Sequence, residues 1–211
     1  MEISRPQGRP RVNSEDALRQ RVFDAFEQLL VHAATSTFST AEIARQAGIS
    51  KRTLYEVAPT KRALIVGLIE RARSVPLSVL DEPVASPQQA QDLLQRFLFE
   101  WMAAAFAPTS INMLRLAMDE WRKAPELGAF YAEAGGIYTA RRLGAWFTAR
   151  KQLGQLQVAD GDELADVCRA VLIKQHLFAV AFGHRAPPSE AEMQASIAAL
   201  VTLLQLPVAA P

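Results

Sequence analysis

Lys51, Arg52 and Thr53 stand in a row directly after Ser50, and Tyr55 follows one helical turn on from Lys51. Ammonium, guanidinium and hydroxyl groups are donors of the kind that read base edges and phosphates in a major groove, if one short helix shows them together. Thr60 and Lys61 open a further helix, where terminal amides and a lysine charge can hold a phosphate. Arg9 and Arg11 flank Pro10 in a narrow, extended stretch. Such a stretch fits a minor groove, where arginine meets an enhanced negative potential, or it is simply a solvated tail. Ordinary roles stand beside the others too: Ser39 and Ser50 can serve as helix caps, and Lys51 as a solvated surface charge.

Catalytic chemistry lacks its residues. His32, His176 and His184 lie far apart, and no nucleophile motif, phosphate loop or metal-ligand spacing is present. The adjacent pairs Asp119-Glu120 and Asp162-Glu163 point to different helix faces and read as surface and first-turn charges. Neither enzymatic activity nor a metal or cofactor is expected.

The donors need two short helices to position them. Ser39 with Glu42 forms a capping box, in which the hydroxyl accepts from the N3 amide and the carboxylate reaches back to the N-cap amide. Ile43, Ala44 and Ala47 give that helix one apolar face, and Gly48 can take the left-handed conformation that ends it. Ser50 caps the next helix, while Ile49 and Leu54 bury the corner. A helix, a turn of about three residues holding a glycine and a second helix make the outline of a helix-turn-helix.

Phe38, Glu42-Ile43-Ala44, Ala47-Gly48-Ile49-Ser50, Thr53-Leu54-Tyr55, and Lys61 with Leu64 together resemble the N-terminal domain of the TetR/AcrR family of bacterial transcriptional regulators. The resemblance is specific over about residues 17–72 and architectural beyond. Ala58 departs from it, since the family usually has an aromatic residue there and often one at Val57 as well. The resemblance implies a DNA-binding regulator, most often a repressor, whose C-terminal domain binds a small molecule. On that reading Lys51, Arg52 and Thr53 meet bases or nearby phosphates, and Ser39, Thr40, Ser50, Tyr55 and Lys61 hold the backbone. Trp101, Met102, Met113, Met118, Trp121, Tyr131, Tyr138 and Phe147 fall in the three helices that enclose the ligand cavity of resembling proteins. Aromatic and thioether side chains suit an adaptable apolar pocket, although such stripes are equally the material of a core.

Composition bounds the fold. The chain has 211 residues, half of them apolar and 21% charged. Such a chain can bury one sizeable core or two small ones. Ala, Leu, Gln, Glu and Arg dominate and β-branched runs are rare, so an all-α fold is expected. Residues 1–73 hold 12 Lys or Arg against 8 Asp or Glu, net +4, and the remainder 11 against 14, net −3. A basic front and an acidic back fit a chain that meets a polyanion with one half. Cys168 is the single cysteine, which rules out an internal disulfide, and its apolar surroundings predict a packed thiol. The first residues hold no apolar core of a signal sequence, and no apolar run approaches the ~20 residues of a membrane span, so a cytoplasmic protein is expected.

Helix signals predict nine helices, three in the DNA-binding module and six behind. A basic arm over 1–13 precedes a first helix capped at Ser14 and running to about Ala33, built on Leu18, Val22, Phe26, Leu29 and Leu30. The module occupies 14–60, a connecting helix 61–80 and a regulatory and dimerisation domain 81–211. Ser86-Pro87-Gln88-Gln89 and Asp160 with Glu163 are start signals, as is the capping box Ser189 with Glu192. Gly135-Gly136 predicts a kink or break, and Gly154 a stop. The two C-terminal helices are more apolar than a small core needs. They are therefore expected to pair with the same helices of a second copy through Val171, Phe178, Phe182, Ile197, Leu200 and Leu204. A homodimer of this kind presents two recognition helices about one DNA turn, roughly 34 Å, apart and reads a palindrome in double-stranded DNA. The alternative is a helix-turn-helix protein with a protein partner or no effector.

Overall fold

The computed structural model describes residues 12–32, 38–72, 76–121 and 125–204. The fold is all-α, with no strand among the described residues. The first four helices are α1 (Val12–His32), α2 (Thr40–Gln46), α3 (Lys51–Val57) and α4 (Lys61–Ala72). A 3₁₀ turn over Pro76–Asp81 follows. Then come α5 (Pro87–Phe106), α6 (Pro108–Trp121), α7 (Pro125–Ala132), α8 (Tyr138–Gln152), α9 (Gly161–Arg169), α10 (Gln175–Ala181) and α11 (Glu190–Leu203). π-helical segments over Glu133–Ile137 and Ala170–Lys174 join α7 to α8 and α9 to α10. The eleven α segments therefore form nine continuous helices among the described residues. Gly135-Gly136 falls inside the first π segment, so the expected kink is a widened turn rather than a break. Ser14 stands inside α1, which begins at Val12, so it does not cap that helix.

The chain divides into two compact units, residues 1–65 and 66–211. In the first, α1 packs on α2 and α3. Val22, Phe23, Phe26 and Leu30 of α1 are buried, as are Ile43, Ala44 and Leu54, which are the positions that the 3.6-residue period selects. Phe38 meets Phe26 edge to face, with ring centroids 5.8 Å apart.

The second unit closes over a core running from Leu77 and Leu80 through α5, with Leu94, Phe97, Leu98, Trp101 and Met102, to Phe147, Leu172 and Leu200. Ser86 caps α5 by accepting from the Gln89 amide at 3.2 Å. Ser189 and Glu192 form the second capping box, at the start of α11. Asp160 caps α9 by accepting from the amides of Asp162 and Glu163 at 2.8 and 2.9 Å. The helices α8 and α9 approach backbone to backbone. A Cβ on Gly144 would lie 3.0 Å from Asp162 Cα, and one on Gly161 would lie 2.5 Å from the Gly144 carbonyl oxygen. Arg115 of α6 donates from Nε and Nη2 to the carbonyls of Ala181 and Val180, at 2.7 and 3.3 Å. It thereby supplies a donor to the Ala181 carbonyl at the end of α10, while the Val180 carbonyl also accepts from the Gly183 amide at 3.0 Å. No helix among the described residues is long and apolar enough to cross a membrane.

Candidate functional site

Two places carry the functional candidates, one in each unit. In the first, Ser39 Oγ accepts from the Glu42 amide at 3.2 Å, while the Ser39 amide donates to Glu42 Oε2 at 2.9 Å. That backbone donor, with the Ser39 hydroxyl, holds the Glu42 carboxyl below its usual range. At the other end of α2, Gly48 has φ +62, and the Gly48 and Ile49 amides donate to the Arg45 and Ala44 carbonyls at 3.1 and 3.0 Å. This double closure ends α2 sharply and turns the chain into Ser50. Ser50 Oγ accepts from the Thr53 amide at 3.1 Å and lies 2.9 Å from Thr53 Oγ1.

The donors are thus set on a seven-residue helix whose Leu54 is wholly buried. Lys51 is exposed and Thr53 half-buried. The Arg52 side chain is 90% exposed, held only loosely by Glu56 at 3.4 Å. Tyr55 is exposed, and its hydroxyl lies 3.3 Å from Thr40 Oγ1, which ties the start of α2 to the middle of α3 on one outer face. Thr60 Oγ1 accepts from the Ala63 amide at 3.0 Å and caps α4, next to the half-buried Lys61. Ala58 is buried at the end of α3 with extended backbone. Arg9 and Arg11 lie outside the described residues.

The second place is a cavity of about 530 Å³. Leu114, Ala117 and Met118 of α6 line it, with Gly128, Tyr131 and Ala132 of α7 and Leu177 and Phe178 of α10. Both π segments contribute as well, Gly136 and Ile137 from the first, Ile173 and Lys174 from the second, with Arg169 just before it. Burial pushes the Tyr131 hydroxyl up to about 12, so it stays neutral, and it lies 3.5 Å from the Ser110 carbonyl.

Of the residues that the sequence pointed to as ligand contacts, Met118 and Tyr131 line this cavity. Trp101, Met102 and Phe147 are buried in the core of the same unit and Met113 is buried on α6, while the half-buried Tyr138 packs against that core. Their apolar faces are used in packing helix on helix. Trp121 ends α6, and its side chain lies outside the described residues. Leu177, Phe178, Arg169 and Lys174 were not singled out as ligand contacts. The sequence signal for them was only an apolar helix bearing two cations.

On the outer surface, Val171, Phe178 and Phe182 are exposed, and Phe178 and Phe182 stack with centroids 6.5 Å apart. Val167 and Leu203 are exposed as well. Ile197 and Leu200 are buried in their own unit's core, and Leu204 is half-buried against it. Their burial follows from α11 packing on α5. His176 Nδ1 accepts from Arg185 Nη1 at 2.9 Å, so it is a satisfied histidine. Cys168 is fully buried, and burial pushes its thiol up to about 12.

No curated protein matches the chain. Among solved structures, a TetR-family transcriptional regulator of Mesorhizobium loti is 20% identical, with a TM-score of 0.72 over 90% of this chain and 97% of that one. A TetR transcriptional regulator of Agrobacterium tumefaciens is 24% identical, with a TM-score of 0.70 over 88% and 93%. The flavonoid-responsive regulator FrrA is 22% identical, with a TM-score of 0.64 over 90% and 95%. Residues 22–68 match the family of bacterial regulatory proteins of the tetR type, and residues 92–205 match the C-terminal domain of AefR-like transcriptional repressors. The second match alone spans more than half of the sequence, and with the helix-turn-helix ahead of it the chain belongs to the TetR family of bacterial transcriptional regulators.

Proposed function

We propose that the protein is a homodimeric repressor that binds a two-fold symmetric operator and leaves it when a small apolar or aromatic effector fills the cavity lined by α6, α7 and α10. The observation that carries this reading is that one chain holds both an outward-facing row of donors on a recognition helix and a cavity of about 530 Å³ in its other unit. A volume of that order suits a drug-sized molecule with an apolar body. Lys51, Arg52 and Thr53 meet base edges or adjacent phosphates. Ser39, Thr40, Ser50, Tyr55 and Lys61 hold the backbone, and Arg9 and Arg11 reach the minor groove. Exposed Val171, Phe178 and Phe182 supply the apolar surface that a second copy covers.

Effector binding shifts operator affinity only by preferring one conformer over the other. The covalent route between the units is α4, which contains the division after Ile65. Selection of duplexes from a random pool by the full chain tests the reading. It should recover a palindrome whose half-sites are centred about one turn, roughly 34 Å, apart, with two chains bound. Recovery of no symmetric sequence, or one chain per site, defeats it. Flavonoids are the first compounds to try for release, because FrrA, a structural neighbour, is flavonoid-responsive.

A further inference from the structure

The cavity has a polarity of its own. Two of its lining residues, Arg169 and Lys174, are cations, and none is a carboxylate. Arg169 donates from Nε and Nη2 to Asp166 Oδ1, at 3.2 and 2.7 Å, which balances its charge and fixes its stem along the cavity. A Cβ on Gly136 would stand 3.4 Å from Arg169 Cδ, about van der Waals contact, so the stem runs close to the first π segment. Lys174 is exposed, and among the described residues no carboxylate pairs with it. Phe178 beside it is 53% exposed in the single chain, so the cavity reaches the surface here, at the edge of the face that a second copy is proposed to cover.

The π segment brings the two cations together. In an α-helix, residues five apart point about 140° away from each other. Here the Gln175 amide donates to the Ala170 carbonyl, an i→i+5 closure that adds a residue to the turn. A turn of that kind returns residues five apart to nearly the same side, which is how Arg169 and Lys174 both reach one cavity.

We infer that the effector is an amphipathic organic anion, with an apolar or aromatic body lying among Met118, Tyr131 and Leu177 and an acidic group held at the mouth by Lys174, with Arg169 behind it. This rests on the reading of the cavity as the effector site. Lysine can lay its stem along apolar surface and keep its ammonium at the rim, where a carboxylate or sulfonate meets it without leaving water entirely. The neutral Tyr131 hydroxyl, directed to the Ser110 carbonyl at 3.5 Å, brings no competing charge.

The test uses two fluorescent probes with one aromatic body, anilinonaphthalene sulfonate and the uncharged phenylnaphthylamine, titrated into the full-length protein. The sulfonate should bind about tenfold more tightly, as a charge-assisted contact predicts. That preference should shrink with added salt and disappear in Lys174→Gln, with phenylnaphthylamine affinity unchanged. Leu177→Trp and Ala132→Trp, at a half-buried and an exposed lining position, should weaken both probes. Equal binding of the two probes, still blocked by these variants, overturns the charge inference and leaves the cavity reading standing. A preference that survives Lys174→Gln overturns it too. If neither blocking variant affects either probe, the cavity reading falls and takes this inference with it.

Discussion

Replacing Arg52 by alanine separates base reading from charge attraction. The side chain is 90% exposed, and it forms an i, i+4 pair with Glu56 at 3.4 Å. Losing such a pair costs a helix about 0.2 to 0.5 kcal/mol, so the fold should melt within about 2 °C of the parent. Leu54, the Ser50 cap and the Gly48 turn are untouched. Any large effect must therefore come from contacts made to DNA. A base-edge contact from arginine is worth about 1 to 3 kcal/mol, roughly 5- to 150-fold in affinity at one half-site position. Lys61→Ala is the counterpart. If it meets only phosphate, it weakens selected and random duplexes alike and lowers the salt slope by about one. Fluorescence anisotropy at fixed and varied salt, on the selected palindrome and a scrambled duplex, reads both. The assignment of Arg52 to base reading is refuted if Arg52→Ala loses the same factor on both duplexes.

Phe182→Glu puts a charge on the exposed stacked pair Phe178 and Phe182, and light scattering should show the dimer reduced to single chains; an unchanged dimer places the interface elsewhere. Gly161→Ala sets a Cβ 2.5 Å from the Gly144 carbonyl oxygen and 2.6 Å from Thr148 Oγ1. The strain should cost about 1 to 3 kcal/mol, seen as a lower Tm, and an unshifted melt would mean that α8 and α9 part without cost. Glu192 is held below the usual carboxylate range first by the Ser189 amide. A carboxylate depressed on folding contributes stability above its unfolded pKa and loses it as pH falls through the folded one. Amides at the start of α11 should therefore exchange faster below the carboxylate range. Glu192→Gln, which keeps the box without titrating, should flatten that dependence, and an identical pH profile in the variant counts against the box as its origin.

What the sequence showed best was local. Capping boxes at Ser39 and Ser189, the Gly48 turn and the Ser86-Pro87 start depend on neighbours three or four residues away, and each is present where the residue types placed it. The helix-turn-helix is made almost wholly of such signals, so the placement of Lys51, Arg52, Thr53 and Tyr55 on its second helix was legible down to the residue. The approach of α8 to α9 at Gly144 and Gly161 was not. It joins two glycines on different helices, and neither carries a turn signal that would mark a crossing. The same holds for Arg115, whose partners at Val180 and Ala181 are more than sixty residues away.

The cavity was the least legible part, for a reason that lies in the helical period itself. Reading apolar and charged residues against 3.6 per turn assigns Arg169 and Lys174 to different faces. Ala170-Val171-Leu172-Ile173 between them carries no glycine or proline to suggest a wider turn. The first π segment had its Gly135-Gly136 pair as a signal, and the second had none. Tertiary packing therefore decides the register there, against a sequence that locally favours a regular helix. Ile173 and Lys174 share a wall with Leu177 and Phe178 by ordinary i, i+4 spacing, and the extra residue in the turn brings Arg169 to the same wall. The apolar stripe and the cation then belong to the same surface, and the chemistry of the molecule that fits it follows from both.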